Sequence, residues 1–224
     1  MAVETSIDRS GAGPLLRAEY VLAGLAVVSL ALVPIRITTI YSGLPAHPLF
    51  LHVPVILIPV ATIWALVLVA RPAWFMRSGV ALGILTVVAL AGTFLTIGAG
   101  DALRNALHLN GGFGPAALIA RHAHAASILR LLMIAFTAVL IVALLAHRIA
   151  GGMPTGRPSL DSLLTRPAVL ILLRIALAVL AILCAYFVFH TGDLGAKAVW
   201  QGRVSGGGPG GGGPVNQLFG PGGG

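Results

Sequence analysis

Five long apolar runs, at 20–37, 49–70, 76–98, 123–146 and 168–189, make up about half of this chain. Each is close to the roughly 20 apolar residues that a helix needs to cross the hydrocarbon of a bilayer. Lipid offers the backbone no hydrogen-bond partners, so a spanning segment must satisfy its own amides, which a helix does. The expected fold is therefore all-α, an integral membrane bundle of five transmembrane helices. A mean hydropathy of +0.99 fits this reading, and the short loops leave no room for a separate soluble domain. Residues 1–42 are read as an N-terminal tail plus an extra helix, 43–204 as a four-helix membrane domain, and 205–224 as a flexible Gly/Pro-rich tail that could anchor on a partner through Leu218 and Phe219. A weakly basic stretch with Arg9 and Arg17 precedes the first run, as in a secretion signal. Leu44-Pro45-Ala46 lacks the small residue wanted three places before a cut, so the run is read as a retained helix.

The formal charge of +8 would suit nucleic acid in a soluble protein. No basic stretch interleaves with exposed aromatics here, so nucleic acid is not expected as a partner. The charge is read as membrane topology plus attraction to the headgroups of membrane lipids. Arg9, Arg17, Arg71, Arg77, Arg148, Arg157 and Arg166 fall on one face, against Arg36, Arg104, Arg121, Lys197 and Arg203 on the other. Positive charge favours the cytoplasm, which places the N-terminus there and the C-terminal tail outside. The single cysteine, Cys184, lies within the fifth run and excludes an intrachain disulfide.

That threading gathers His47, His52, His108, His122, His124 and His190 at the extracytoplasmic end and leaves only His147 at the other. On straight helices His47 and His52 would be about 140° apart, and His122 and His124 about 200° apart. At most one of each pair then faces the bundle, unless the bends expected from Pro54 and Pro59 bring the first two round. Asp101, Arg104, Asn105 and His108 recur at helical spacing, predicting a short separate interfacial helix stopped by Asn110-Gly111-Gly112. Gly79 and Gly83 form a G-x-x-x-G step suited to close helix packing.

Two chemistries fit these residues. In the first, imidazoles from facing helices clamp a b-type haem iron. His52 and His124 are the preferred pair, with His122 in reserve and Arg36 or Arg121 meeting the propionates. In the second, ligands including Asp101, drawn from a set with His52, His122 or His124, and His190, assemble a zinc, copper or iron site across helices. His47 is a secondary candidate and is otherwise read, with His108 and His147, as an interface residue. Arg130 lies about 10 Å inside its span with no acid in any span to pair with it, so it is expected to face the bundle, a bound group or a partner. Arg174 is expected to snorkel to the nearer surface.

The stretch Gly43-Leu44-Pro45-Ala46-His47-Pro48-Leu49-Phe50-Leu51-His52-Val53-Pro54 resembles the opening of the bacterial membrane family catalogued as domain of unknown function 2231, whose four helices begin with H-P-x-x-x-H-x-P. Gly98-Ala99-Gly100-Asp101, a His-Ala step at His122-Ala123 or His124-Ala125, and the closing run from Gly192 to Trp200 are similar to later parts of that pattern. The resemblance covers about residues 43–204. Ser127-Ile128 stands where the family usually has an asparagine, Trp200 where it has a tyrosine, and His190 is outside the pattern. The family has no settled activity, but its members occur beside or fused to Rieske and cytochrome-type domains. The resemblance thus implies a bacterial inner-membrane protein among the subunits of a redox complex, with no catalysis of its own. The expected role is a redox-associated subunit carrying haem b for electron transfer. The alternative is a cofactor-free accessory subunit of a larger membrane complex.

Overall fold

The computed structural model describes residues 14–40, 43–108 and 115–200, and they are helical apart from short connections. In chain order the helices are α1 (Pro14–Ser29), α2 (Ala46–Phe50), α3 (His52–Ala70), α4 (Phe75–Ala106), α5 (Pro115–Ala150), α6 (Pro158–Leu164) and α7 (Pro167–Trp200). Four segments are long and apolar enough to cross a membrane: Ala46–Ala70, Pro72–Ala106, Ala116–Ala150 and Pro167–Trp200. The first expected span is shorter than the sequence suggested. Its apolar helical part is Ala18–Leu32, ending in a 3-10 turn at Leu30–Leu32. Pro34 follows and has no amide to continue the ladder, so the chain runs on extended to a bridge between Thr39 and Pro45. The expectations for the glycine tail lie outside the described residues.

Packing sets the helices in a ring, α3 beside α4, α4 beside α5, α5 beside α7 and α7 beside α3, which puts α3 and α5 on a diagonal. Helix α1 lies against α4 and α5. The core runs the length of this ring through Ile58, Leu82, Phe94, Met133, Phe136, Leu140 and Leu177, with Cys184 buried as a small apolar side chain. Gly79 and Gly83 do what their spacing suggests, receiving Leu144 of α5 and Leu22 of α1 where a Cβ would stand.

Two local features differ from the sequence reading. Asp101 to Ala106 is the last part of α4 rather than a separate helix, because nothing between Gly98 and Asp101 caps or breaks the ladder. The helix stops one turn before the expected Asn-Gly-Gly, with His108 in the left-handed region at φ 53°. The connection expected as a solvated turn contains α6, opened by Pro158 and organised by Asp161, which accepts from the Thr155 amide at 3.1 Å and its hydroxyl at 2.6 Å. Arg174 reaches toward the nearer end of the bundle and is held there by backbone. Its Nη2 and Nε donate to the Val69 carbonyl at 2.6 and 3.1 Å, placing a cation on the C-terminal end of α3.

Sequence reasoning also missed a buried ion pair. Arg148 Nε, in the last turn of α5, contacts Glu19 Oε1 of α1, and each residue is 2% exposed. Arg148 therefore does not count as a free surface charge in the topology tally. Arg148 Nη1 and Glu19 Oε2 find no further hydrogen-bond partner among the described residues.

Candidate histidine pair at one end of the bundle

One end of the ring carries the N-termini of α3 and α5 and the C-termini of α4 and α7. Pro54 shapes this end. It cannot donate to Phe50, and Phe50 is where α2 stops, with Leu51 as the turn before α3. Helix α2 thereby lies against α4 and carries His47 in its first turn.

His47 and His122 meet here. Their ring centroids are 6.1 Å apart and their planes are perpendicular, at 88°. His47 Nδ1 lies 2.9 Å from the Thr96 carbonyl of α4, and His122 Nδ1 lies 2.8 Å from the Thr191 carbonyl of α7. A carbonyl oxygen can only accept, so each Nδ1 carries a proton and donates. In the neutral rings the lone pair is then on Nε2 in both. Two glycines make room for the rings. A Cβ at Gly100 would stand 2.9 Å from His47 Nδ1, and one at Gly195 would stand 3.1 Å from His122. Asp101 is near enough to act on His47 electrostatically and is in turn 3.6 Å from Arg36 Nη2. Arg36 Nη1 also donates to the Val33 carbonyl at 2.7 Å, so this arginine is held close to its own turn.

The other candidates are placed elsewhere. His52 is exposed on α3, with Nδ1 3.3 Å from the Leu49 carbonyl. His124 is exposed on α5, the diagonal helix, where it lines a groove with Arg121 and His190. The pair expected to clamp an iron, His52 with His124, is therefore not brought together. Arg130 is half-buried in α5, without a hydrogen bond or ion pair among the described residues. No group of three or more His, Cys, Asp or Glu side chains gathers at metal-binding distance among the described residues.

The imidazole pair can be tested against the expected cofactors. Two imidazoles on one metal ion, with bonds of about 2 Å, would hold their centroids roughly 6 Å apart. Donation of the second ring nitrogen to a backbone carbonyl is the usual orientation of a ligating histidine. The centroid distance of 6.1 Å is compatible with one ion between the rings. An iron clamped from both sides in a porphyrin would set the same spacing, so the distance between the rings does not choose between a bare ion and a haem. No family model matches the chain, and neither a curated protein nor a solved structure matches it.

Proposed function

We propose that the chain is a multi-pass, redox-associated membrane subunit that holds one transition-metal ion between His47 and His122. The observation that carries this reading is the pair itself: two imidazoles from different helices, both with Nδ1–H committed to backbone carbonyls and both Nε2 atoms left to bind. Imidazole nitrogen suits copper, iron and zinc, and a redox role selects copper or iron among them. The redox setting, the bacterial inner membrane and an orientation with the N-terminus in the cytoplasm rest on the resemblance and on the arginine distribution described above. Haem b, expected at His52 and His124, is replaced in this reading by an ion at His47 and His122.

The full chain, purified in detergent and loaded with copper or iron, is expected to retain one ion. His47→Ala or His122→Ala should lower the affinity at least about tenfold. His52→Gln and His124→Gln should leave it unchanged, and unchanged melting temperatures would show that each variant is folded. Loss of metal in the His52 or His124 variants alone, failure of the parent chain to retain metal, or a Soret band in the purified protein would each overturn the assignment.

A second reading is favoured by Arg130. A half-buried guanidinium about 12 Å along α5 from His122, and unpaired among the described residues, costs on the order of 3 kcal/mol in hydrocarbon. An acidic side chain of another membrane subunit would remove that cost. On this reading the chain is an accessory subunit of a larger membrane complex. Isolation from native membranes as a monomer in mild detergent would count decisively against it.

A further inference from the structure

We propose that the groove between α5 and α7 binds the phosphate headgroup of an anionic phospholipid. The groove encloses about 550 Å³ and lies at the histidine end, but it shares no residue with the His47–His122 pair. Its lining changes character along the helices. Arg121 and His124 stand near the start of α5, and His190 faces them from α7. Deeper in, Ile128 and Phe187 complete the walls with apolar surface. From Arg121 to Ile128 the helix advances about 10 Å. The groove thus runs from cationic to apolar over the depth that separates a phosphate from the first part of an acyl chain.

Charge complementarity selects the occupant. Arg121 has no ion pair among the described residues, and Arg121 and His124 are exposed. A guanidinium presents planar donors that match a phosphate in two-point contact, and an imidazole N–H adds another. His190 is held in place for this. Its ring stacks on Tyr186 with centroids at 5.6 Å and 8° between planes, and meets Phe187 edge-on at 6.2 Å. Exposed Tyr186 and Phe189 on the same stretch of α7 continue the aromatic surface that membrane proteins place at headgroup level. A neutral quinone head would use the imidazoles but would leave Arg121 without its counter-charge, so the lipid phosphate accounts for more of the site.

The test uses the purified, delipidated full chain titrated with phosphatidylglycerol, phosphatidylcholine or a short-chain ubiquinone and read by native mass spectrometry. Phosphatidylglycerol is expected to bind tightest, with one molecule kept at the lowest concentrations. Arg121→Gln should weaken it about fivefold, matching the roughly 1 kcal/mol carried by one basic residue at an anionic lipid. A joint His124→Gln/His190→Gln variant should weaken it further. Arg77→Gln, which removes an exposed arginine at the opposite end, should change nothing and so serves as the control for general charge. Equal affinity for phosphatidylcholine, tighter binding of the quinone, or an Arg77→Gln effect as large as that of Arg121→Gln would overturn the proposal. These outcomes are independent of metal binding at His47 and His122, because those residues are present in every variant.

Discussion

Glu19→Leu is expected to destabilise the isolated protein by about 3–5 kcal/mol, and Arg148→Met by a similar amount. Both groups are buried at 2% exposure, and each is the other's charge partner. Removing one leaves a full charge in a place with neither water nor a counter-ion. The remaining polar atoms of the pair do not soften the loss, since Arg148 Nη1 and Glu19 Oε2 have no other hydrogen-bond partner among the described residues. The double variant Glu19→Leu/Arg148→Met should recover most of the stability, because two apolar side chains of similar length need no desolvation of charge. Melting in detergent across all four proteins gives the coupling directly. Single variants that melt together with the double variant would show that the pair carries no such energy.

The second large effect is expected at Gly98. A Cβ there would collide with the backbone carbonyl of Ile35, and the nearest side-chain atom is Arg36 Nη1 at 3.4 Å. Backbone cannot swing aside as a side-chain tip can, so Gly98→Ala must push the segment after α1 away from α4. Overpacking of this kind costs about 1–3 kcal/mol. It should also part Arg36 from Asp101, which are only 3.6 Å apart now. Gly24 and Gly192 supply the controls. Both sit inside helices with nothing within 4 Å of a built Cβ, so alanine there should stabilise by about 0.5–1 kcal/mol through helix propensity. A Gly98→Ala protein that melts like Gly192→Ala would remove the case for close contact between this segment and α4.

The sequence made the bundle legible because hydrophobic length is a property of single segments. Four of the expected spans lie within helices of the right length, and each of those helices extends past the apolar run that announced it. The extensions are where reading failed. Composition changes at Asp101, and that change looked like a new element, whereas hydrogen bonding continues through it to Ala106. The first run was overestimated for the opposite reason. Ile35 and Ile37 are apolar, but Pro34 had already ended the ladder.

The candidate site was legible as a set of residues and not as a pairing. Placing six histidines at one end follows from threading alone. Ideal helix angles put at most one of each pair toward the bundle, and that is what is seen, but angles alone do not say which member it is. Leu51 keeps a helical backbone, and from the resulting nearly continuous helix His47 leans on α4 while His52 faces outward. Gly100 and Gly195 carried the missing signal, since each is a small residue at the right level to admit an imidazole from a neighbouring helix. Glu19 was out of reach for another reason. An ion pair between residues more than a hundred positions apart leaves no periodicity to find.

The two Nδ1 hydrogen bonds make the pair a caliper. Neither ring is fixed to its own helix alone: His47 of α2 hangs from a carbonyl of α4, and His122 of α5 hangs from a carbonyl of α7. The gap between the imidazoles is therefore a reading of how four helices stand relative to one another. A slide or tilt of any one of them alters that gap before it disturbs the apolar core, so the spacing of the two rings is a gauge of bundle geometry built into the protein itself.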